Sequence, residues 1–135
     1  MSLSVKTHIR FERGRGSRRE LREGDAPTPP LPGRVPRVAR LMALAIRMER
    51  LITEGHVDDY AALARLGRVT RARLSQIMDL LLLPPDLIEE ILHLPLVERG
   101  RDPITERDLR AIVRETAWER QREMWTALAS DRLYR

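Results

Sequence analysis

Four apolar residues, Leu74, Ile77, Met78 and Leu81, recur at the i, i+3, i+4, i+7 spacing that lines up side chains on one face of an α-helix. Two positions out of phase, Ala72, Ser75, Gln76 and Asp79 repeat that spacing about 200° round the same helix as a small, polar face. Thr70 is a favoured N-cap and no breaker follows until Pro84 and Pro85, so the pattern predicts a helix from Arg71 to about Leu82. A shorter helix precedes it. Asp59 caps its start, Ala61, Ala62, Leu63, Ala64 and Leu66 give it a close-packing surface, and Gly67 ends it. Two short helices joined by a glycine-containing turn, with Val69 as a buried-type turn residue, predict a helix-turn-helix over Asp59 to Pro85.

The same periodicity places four more helices. From Pro36 to Glu54, Val38, Leu41, Ala45, Met48 and Ile52 make one stripe, Leu44 and Leu51 widen it, and Gly55 is the stop. From Pro85 to Leu92, Leu87, Ile88, Ile91 and Leu92 turn inward while Asp86, Glu89 and Glu90 turn out. Leu94 to Val97 reads as an extended, partly buried connector and Glu98 to Pro103 as a polar loop. Thr105 with Asp108 approximates a capping box with Ile104 and Leu109 as its hydrophobic staple, and Thr116 with Glu119 is a second box. From Ala117 to about Ser130, Trp118, Gln121, Trp125 and Leu128 share one side. With only five aromatic residues in the chain, this helix is expected to fold back on its own core rather than serve a partner. The fold class expected is all-α: a small multi-helix domain over residues 36–130, with residues 131–135 as a tail.

Composition adds an arm to this picture. The chain has 135 residues, enough for one domain with a modest core. Nine basic and four acidic residues lie at or before Arg37, so the whole formal net charge of +5 falls in the first quarter of the chain. That region also carries scattered glycine and the proline-rich run from Ala26 to Pro36, and it has few apolar residues to bury. Residues 1–35 are therefore expected to be a disordered basic arm. Its densest patch, Arg13 to Arg19, is suited either to tracking phosphates or simply to keeping the chain soluble.

A basic arm beside a charge-neutral body points to a polyanionic partner, above all double-stranded DNA. In a helix-turn-helix the second helix lies in the major groove, with its N-terminal residues at the base edges. Arg71, Ala72, Ser75 and Gln76 are the candidate base contacts, Arg reading guanine and Gln reading adenine in bidentate fashion. Arg68, Thr70 and Arg73, with Arg15, Arg18 and Arg19 from the arm, are the candidate phosphate contacts. A homodimer on a two-fold site would be the least costly route to specificity for so small a reader.

Tyr60, Ala61, Leu63, Ala64, Gly67, Thr70, Arg71, Leu74, Ser75, Gln76 and Ile77, followed by Leu82 and Pro84, resemble the helix-turn-helix of ParB and KorB partition proteins. The resemblance covers about a third of the chain, and the nucleotide-binding region that precedes this module in ParB has no counterpart here. Residues from Arg37 to Trp125 also look like small bacterial helix-turn-helix proteins associated with mobile-element recombinases. These resemblances imply a regulator or accessory factor of a plasmid or mobile element, cytoplasmic and associated with the nucleoid. One position departs from the family pattern. Gly67 comes one place early and Arg68 stands where a left-handed turn residue is expected, so either the first helix ends sooner or Arg68 carries strain.

The rival reading is a protein-interaction adaptor that docks a recombinase or partition partner and has only nonspecific nucleic-acid affinity. Catalysis has little to stand on. His8, His56 and His93 are scattered over tail, loop and helix end, the chain has no cysteine, and there is neither a phosphate-loop nor a nucleophile-elbow motif. No metal, cofactor or small-molecule substrate is expected, and no apolar run reaches the ~18 residues of a membrane span.

Overall fold

The computed structural model describes residues 32–134 in full and residues 9–13 and 19–23 as backbone. The chain divides into two units, residues 1–31 and 32–135. In the first, β1 (Ile9–Arg13) and β2 (Arg19–Glu23) pair antiparallel, with Phe11 opposite Leu21. This local pairing was not anticipated for the arm. Arg15 and Arg18 lie outside the described residues, and Arg19 is described only as backbone at the start of β2.

The second unit is all-α among its described residues. Its helices are α1 (Arg37–Thr53), α2 (Tyr60–Gly67), α3 (Arg71–Met78), α4 (Pro85–Leu92), α5 (Glu106–Val113) and α6 (Trp118–Arg132), with a 3₁₀ turn at Asp79–Leu82. None of them is long and apolar enough to cross a membrane.

The folded unit starts at Pro32, a few residues before the expected boundary. Gly33 adopts φ +115°, and a Cβ there would come within 2.9 Å of the Val97 carbonyl oxygen, so glycine permits the approach. Next to it, Arg34 and Val97 exchange backbone hydrogen bonds of 3.0 and 2.8 Å. The same strap caps α1. Its N-cap, Pro36, offers no side-chain acceptor. Instead Asp102 takes the Arg37 amide on Oδ2 at 2.9 Å and the Arg34 guanidinium on Oδ1 at 2.6 Å. The Arg37 amide foremost, and then Arg34, hold the Asp102 carboxyl below the ordinary aspartate range.

Two apolar clusters form the core, and α1 lies along both. Val38 and Met42 join Leu80, Leu83, Leu87, Ile91, Ile104, Leu109, Ile112 and Trp125 in the first cluster. Ala45 and Met48 join Val57, Leu63, Ala64, Leu74, Ile77 and Met78 in the second, and Leu41 touches both. The buried stripe of α1 is accordingly rotated from the expected one: Ala39 and Met42 are buried, Leu41 and Ile52 only partly so, and Leu44 is exposed.

Three further expectations are corrected. The second helix of the pair does not run unbroken to Leu82 but tightens to 3₁₀ geometry after Met78, which buries Leu80 and Leu83 and leaves Leu82 59% exposed. The box at Thr116 does not form. Helix α6 begins at Trp118 on Ala117 with no side-chain cap, and the Thr116 amide, which the Glu119 carboxylate would take in a capping box, is instead accepted together with the Ala117 amide by Glu115 Oε1. The tryptophan face of α6 is also divided. Trp125 is 3% exposed and donates Nε1–H to Glu90 at 2.6 Å, whereas Trp118 is 49% exposed and donates to the Leu82 carbonyl at 3.1 Å.

Asp102→Ala should destabilise the body by about 1 kcal/mol at neutral pH through loss of the α1 cap. Because the folded-state pKa lies below the unfolded one, this advantage is full above roughly pH 4 and is lost as pH falls through the lowered value. Urea unfolding of both proteins between neutral and strongly acidic pH measures the difference.

Candidate nucleic-acid interface

The helix-turn-helix is assembled by local chemistry at each end. Asp59 accepts the Ala62 amide at 2.8 Å and opens α2. The turn closes through Val69 N–H to Ala64 C=O at 3.1 Å and Arg68 N–H to Arg65 C=O at 3.3 Å, the paired bonds of a Schellman ending. That motif requires a left-handed residue just past the helix, and here it is Arg68, at φ 53°, ψ 41°. The alternative left open by the sequence is thereby decided: α2 keeps Gly67 as a helical residue, and Arg68 takes the strained conformation. Thr70 accepts the Arg73 amide at 3.1 Å and opens α3, while its hydroxyl hydrogen remains free to donate.

Helix α3 then divides as its periodicity demands. Leu74, Ile77 and Met78 are buried, and Arg71, Ala72, Ser75, Gln76 and Asp79 are exposed. The four candidate base-contact residues thus share one open face. Arg68 and Arg71 stand at its N-terminal end with no ion-pair partner among the described residues, and the first turn of α3 contains no acidic residue.

Arg73 is placed differently from its expected role. Its guanidinium grips the Glu106 carboxylate in bidentate fashion, with NH1 on Oε1 and NH2 on Oε2 at 3.0 Å, and its NH1 also donates to Gln76 Oε1 at 3.2 Å. The side chains are 29% and 12% exposed, so this is a half-buried pair rather than a free arginine. The hydrogen bond from Arg73, ahead of the opposing effect of burial, lowers the Glu106 pKa, and the same bond raises that of Arg73. An internal carboxylate holds this guanidinium where a phosphate was expected to bind it.

The pair brings α5 alongside α3, an arrangement with no local signal in the sequence. A shallow pocket of about 240 Å³ lies between them, lined by Gln76 and Asp79 on one side and Arg110, Val113 and Arg114 on the other, with Leu80 and Leu82 at its end. Arg110 is 3.7 Å from Glu106, and Arg114 has no ion-pair partner among the described residues. Their spacing from Leu109 and Ile112, which are buried, was the available clue that both arginines face outward.

Replacing Arg68 separates strain from charge. Arg68→Gly should raise stability by about 0.5–1 kcal/mol, because glycine accepts the left-handed conformation without penalty. A higher urea midpoint checks this, and a lower one would mean that the arginine side chain contributes packing that outweighs its backbone strain.

The chain matches no family model, no curated protein and no solved structure.

Proposed function

We propose that the helical body binds double-stranded DNA with α3 in the major groove, as a regulator or accessory factor of a plasmid or mobile element. One observation carries the reading: α3 is anchored by its apolar face while Ala72, Ser75, Gln76 and Asp79 lie bare between arginines on both flanks. Arg68 and Arg71 border one end, and Arg110 and Arg114 border the side towards α5. A groove-bound helix is bounded by two phosphate backbones, so cations on both flanks are where positioning contacts belong. Arg71, Ala72, Ser75 and Gln76 are assigned to base edges, and Arg68 and Thr70 to phosphates. Arg73 is withdrawn from that set by Glu106, and Arg114 takes its place.

Arg15, Arg18 and Arg19 supply sequence-independent attraction from the arm on this reading. A cytoplasmic, nucleoid-associated protein is what the resemblance of Tyr60–Pro84 to ParB and KorB modules implies on this reading. A homodimer would double the few base pairs that one module reads.

A second reading, the protein-interaction adaptor, draws on exposed Leu82 at the end of the α3–α5 pocket and on exposed Trp118, whose indole donates to the Leu82 carbonyl. Selection from random duplexes at about 150 mM salt separates the two, because electrostatic binding alone is already weak there. The DNA reading expects an enriched site, a cost of about 1–3 kcal/mol for Gln76→Ala on that site, and a salt slope reduced by about one per arginine for Arg114→Ala. Removal of residues 1–31 should weaken all duplexes alike. Retention without enrichment, abolished together with the arm, would leave the adaptor reading in its place.

A further inference from the structure

The Glu106–Arg73–Gln76 chain has a consequence for which base is read. Arg73 carries only donors, so the Gln76 atom facing it must be the carbonyl oxygen, and the assignment of the amide is settled by chemistry. The amide group is planar, and its carbonyl and N–H₂ diverge. With Oε1 turned back along the helix towards Arg73, Nε2 is the amide atom left without a hydrogen-bond partner among the described residues. Glu106 keeps Arg73 in that position, since its two oxygens hold both guanidinium nitrogens and fix the plane of the fork.

Adenine presents an N7 acceptor beside an N6 donor in the major groove, and a glutamine reads it by offering its N–H₂ and its carbonyl together. Guanine presents N7 and O6, both acceptors. We propose that Glu106 acts through Arg73 as a specificity-positioning residue: with its carbonyl directed to Arg73, Gln76 meets the groove with its N–H₂ foremost and selects guanine where an unrestrained glutamine would select adenine. This rests on the DNA-binding reading above and revises one pairing within it. The nearest rival partner, thymine, offers the single acceptor O4 beside a methyl group, and so accepts fewer of the Gln76 hydrogens.

The test is duplex selection with the full chain, repeated for Gln76→Ala, Glu106→Gln and Arg73→Lys. Gln76→Ala identifies the position that Gln76 reads as the one whose preference disappears. The wild type should hold guanine there. Glu106→Gln weakens the grip on Arg73, and Arg73→Lys keeps a cation beside Glu106 but loses the planar fork. In each, the guanine-to-adenine ratio at that position should fall about fivefold or more, with the rest of the site unchanged. Circular dichroism melting establishes which of the two variants is folded, and either one suffices. Adenine at that position in the wild type would overturn the proposal, as would an unaltered ratio in a folded variant. A wild type that enriches no site at all would remove the DNA-binding reading and this inference with it, an outcome distinct from an enriched site with the wrong base.

Discussion

The orientation of α3 depends on a geometric demand that α1 imposes. Helix α1 presents Val38 and Met42 to one cluster and Ala45 and Met48 to the other, so the chain leaving α3 has to serve both. In an α-helix continued through Leu82, residues three apart would fall about 60° out of line. Tightening to about three residues per turn after Met78 brings Leu80 and Leu83 in beside the buried Leu74 and Ile77 instead, and all four are buried. The 3₁₀ turn therefore joins the two clusters and fixes α3 to them. Leu82 faces outward as a result, and the Trp118 indole covers its carbonyl with a hydrogen bond.

What apolar packing does for the inner face of α3, the Arg73–Glu106 pair does for one edge of the outer face. A half-buried ion pair gives up hydration and adds little net stability, so its value is in orientation. The bidentate fork settles the direction of Arg73, and Arg73 in turn settles the direction of Gln76. The exposed Arg122–Asp86 pair, between α6 and α4, is bidentate as well but lies away from α3 and constrains nothing on its open face. Two pairs of similar geometry thus have different consequences because of what each arginine still has left to donate.

Much of this was legible in the sequence where the controlling chemistry is local. Asp59, Thr70 and the Thr105–Asp108 box cap the helices expected of them, because a side-chain oxygen and an amide three residues on are neighbours in any fold. The buried face of α3 followed from periodicity for the same reason. The Thr116 box fails because Glu115, immediately before it, takes the Thr116 amide that Glu119 would have to accept, and spacing cannot weigh such competitors. The stripe of α1 was misplaced by a rotation because a helix shared by two clusters buries a broader face than one periodic line. Arg73 reads as a phosphate contact in the sequence because its partner, 33 residues further along, is chosen by the docking of α5 and by nothing near Arg73 itself. The alternation of Ile9 and Phe11 ahead of Leu21 is a strand signal, weak beside the arginines that surround it.

Zero net charge beyond Arg37 conceals a local imbalance. Several arginines there are neutralised in place: Arg50 by Glu54, Arg73 by Glu106, Arg120 by Glu123 and Arg122 by Asp86. Around the open face of α3 the balance is different, since Arg68, Arg71 and Arg114 have no carboxylate partner among the described residues. On the proposed reading this divides the work of binding. The arm carries the excess charge and with it the long-range, salt-sensitive attraction, which acts on any duplex. The chain beyond Arg37 has no net charge to add, so its contribution comes from a few cations placed within about a Debye length of the bases that α3 would read. Affinity and selectivity then belong to different parts of the chain, and they are joined only in the position of α3, which α1 and Glu106 determine from opposite sides.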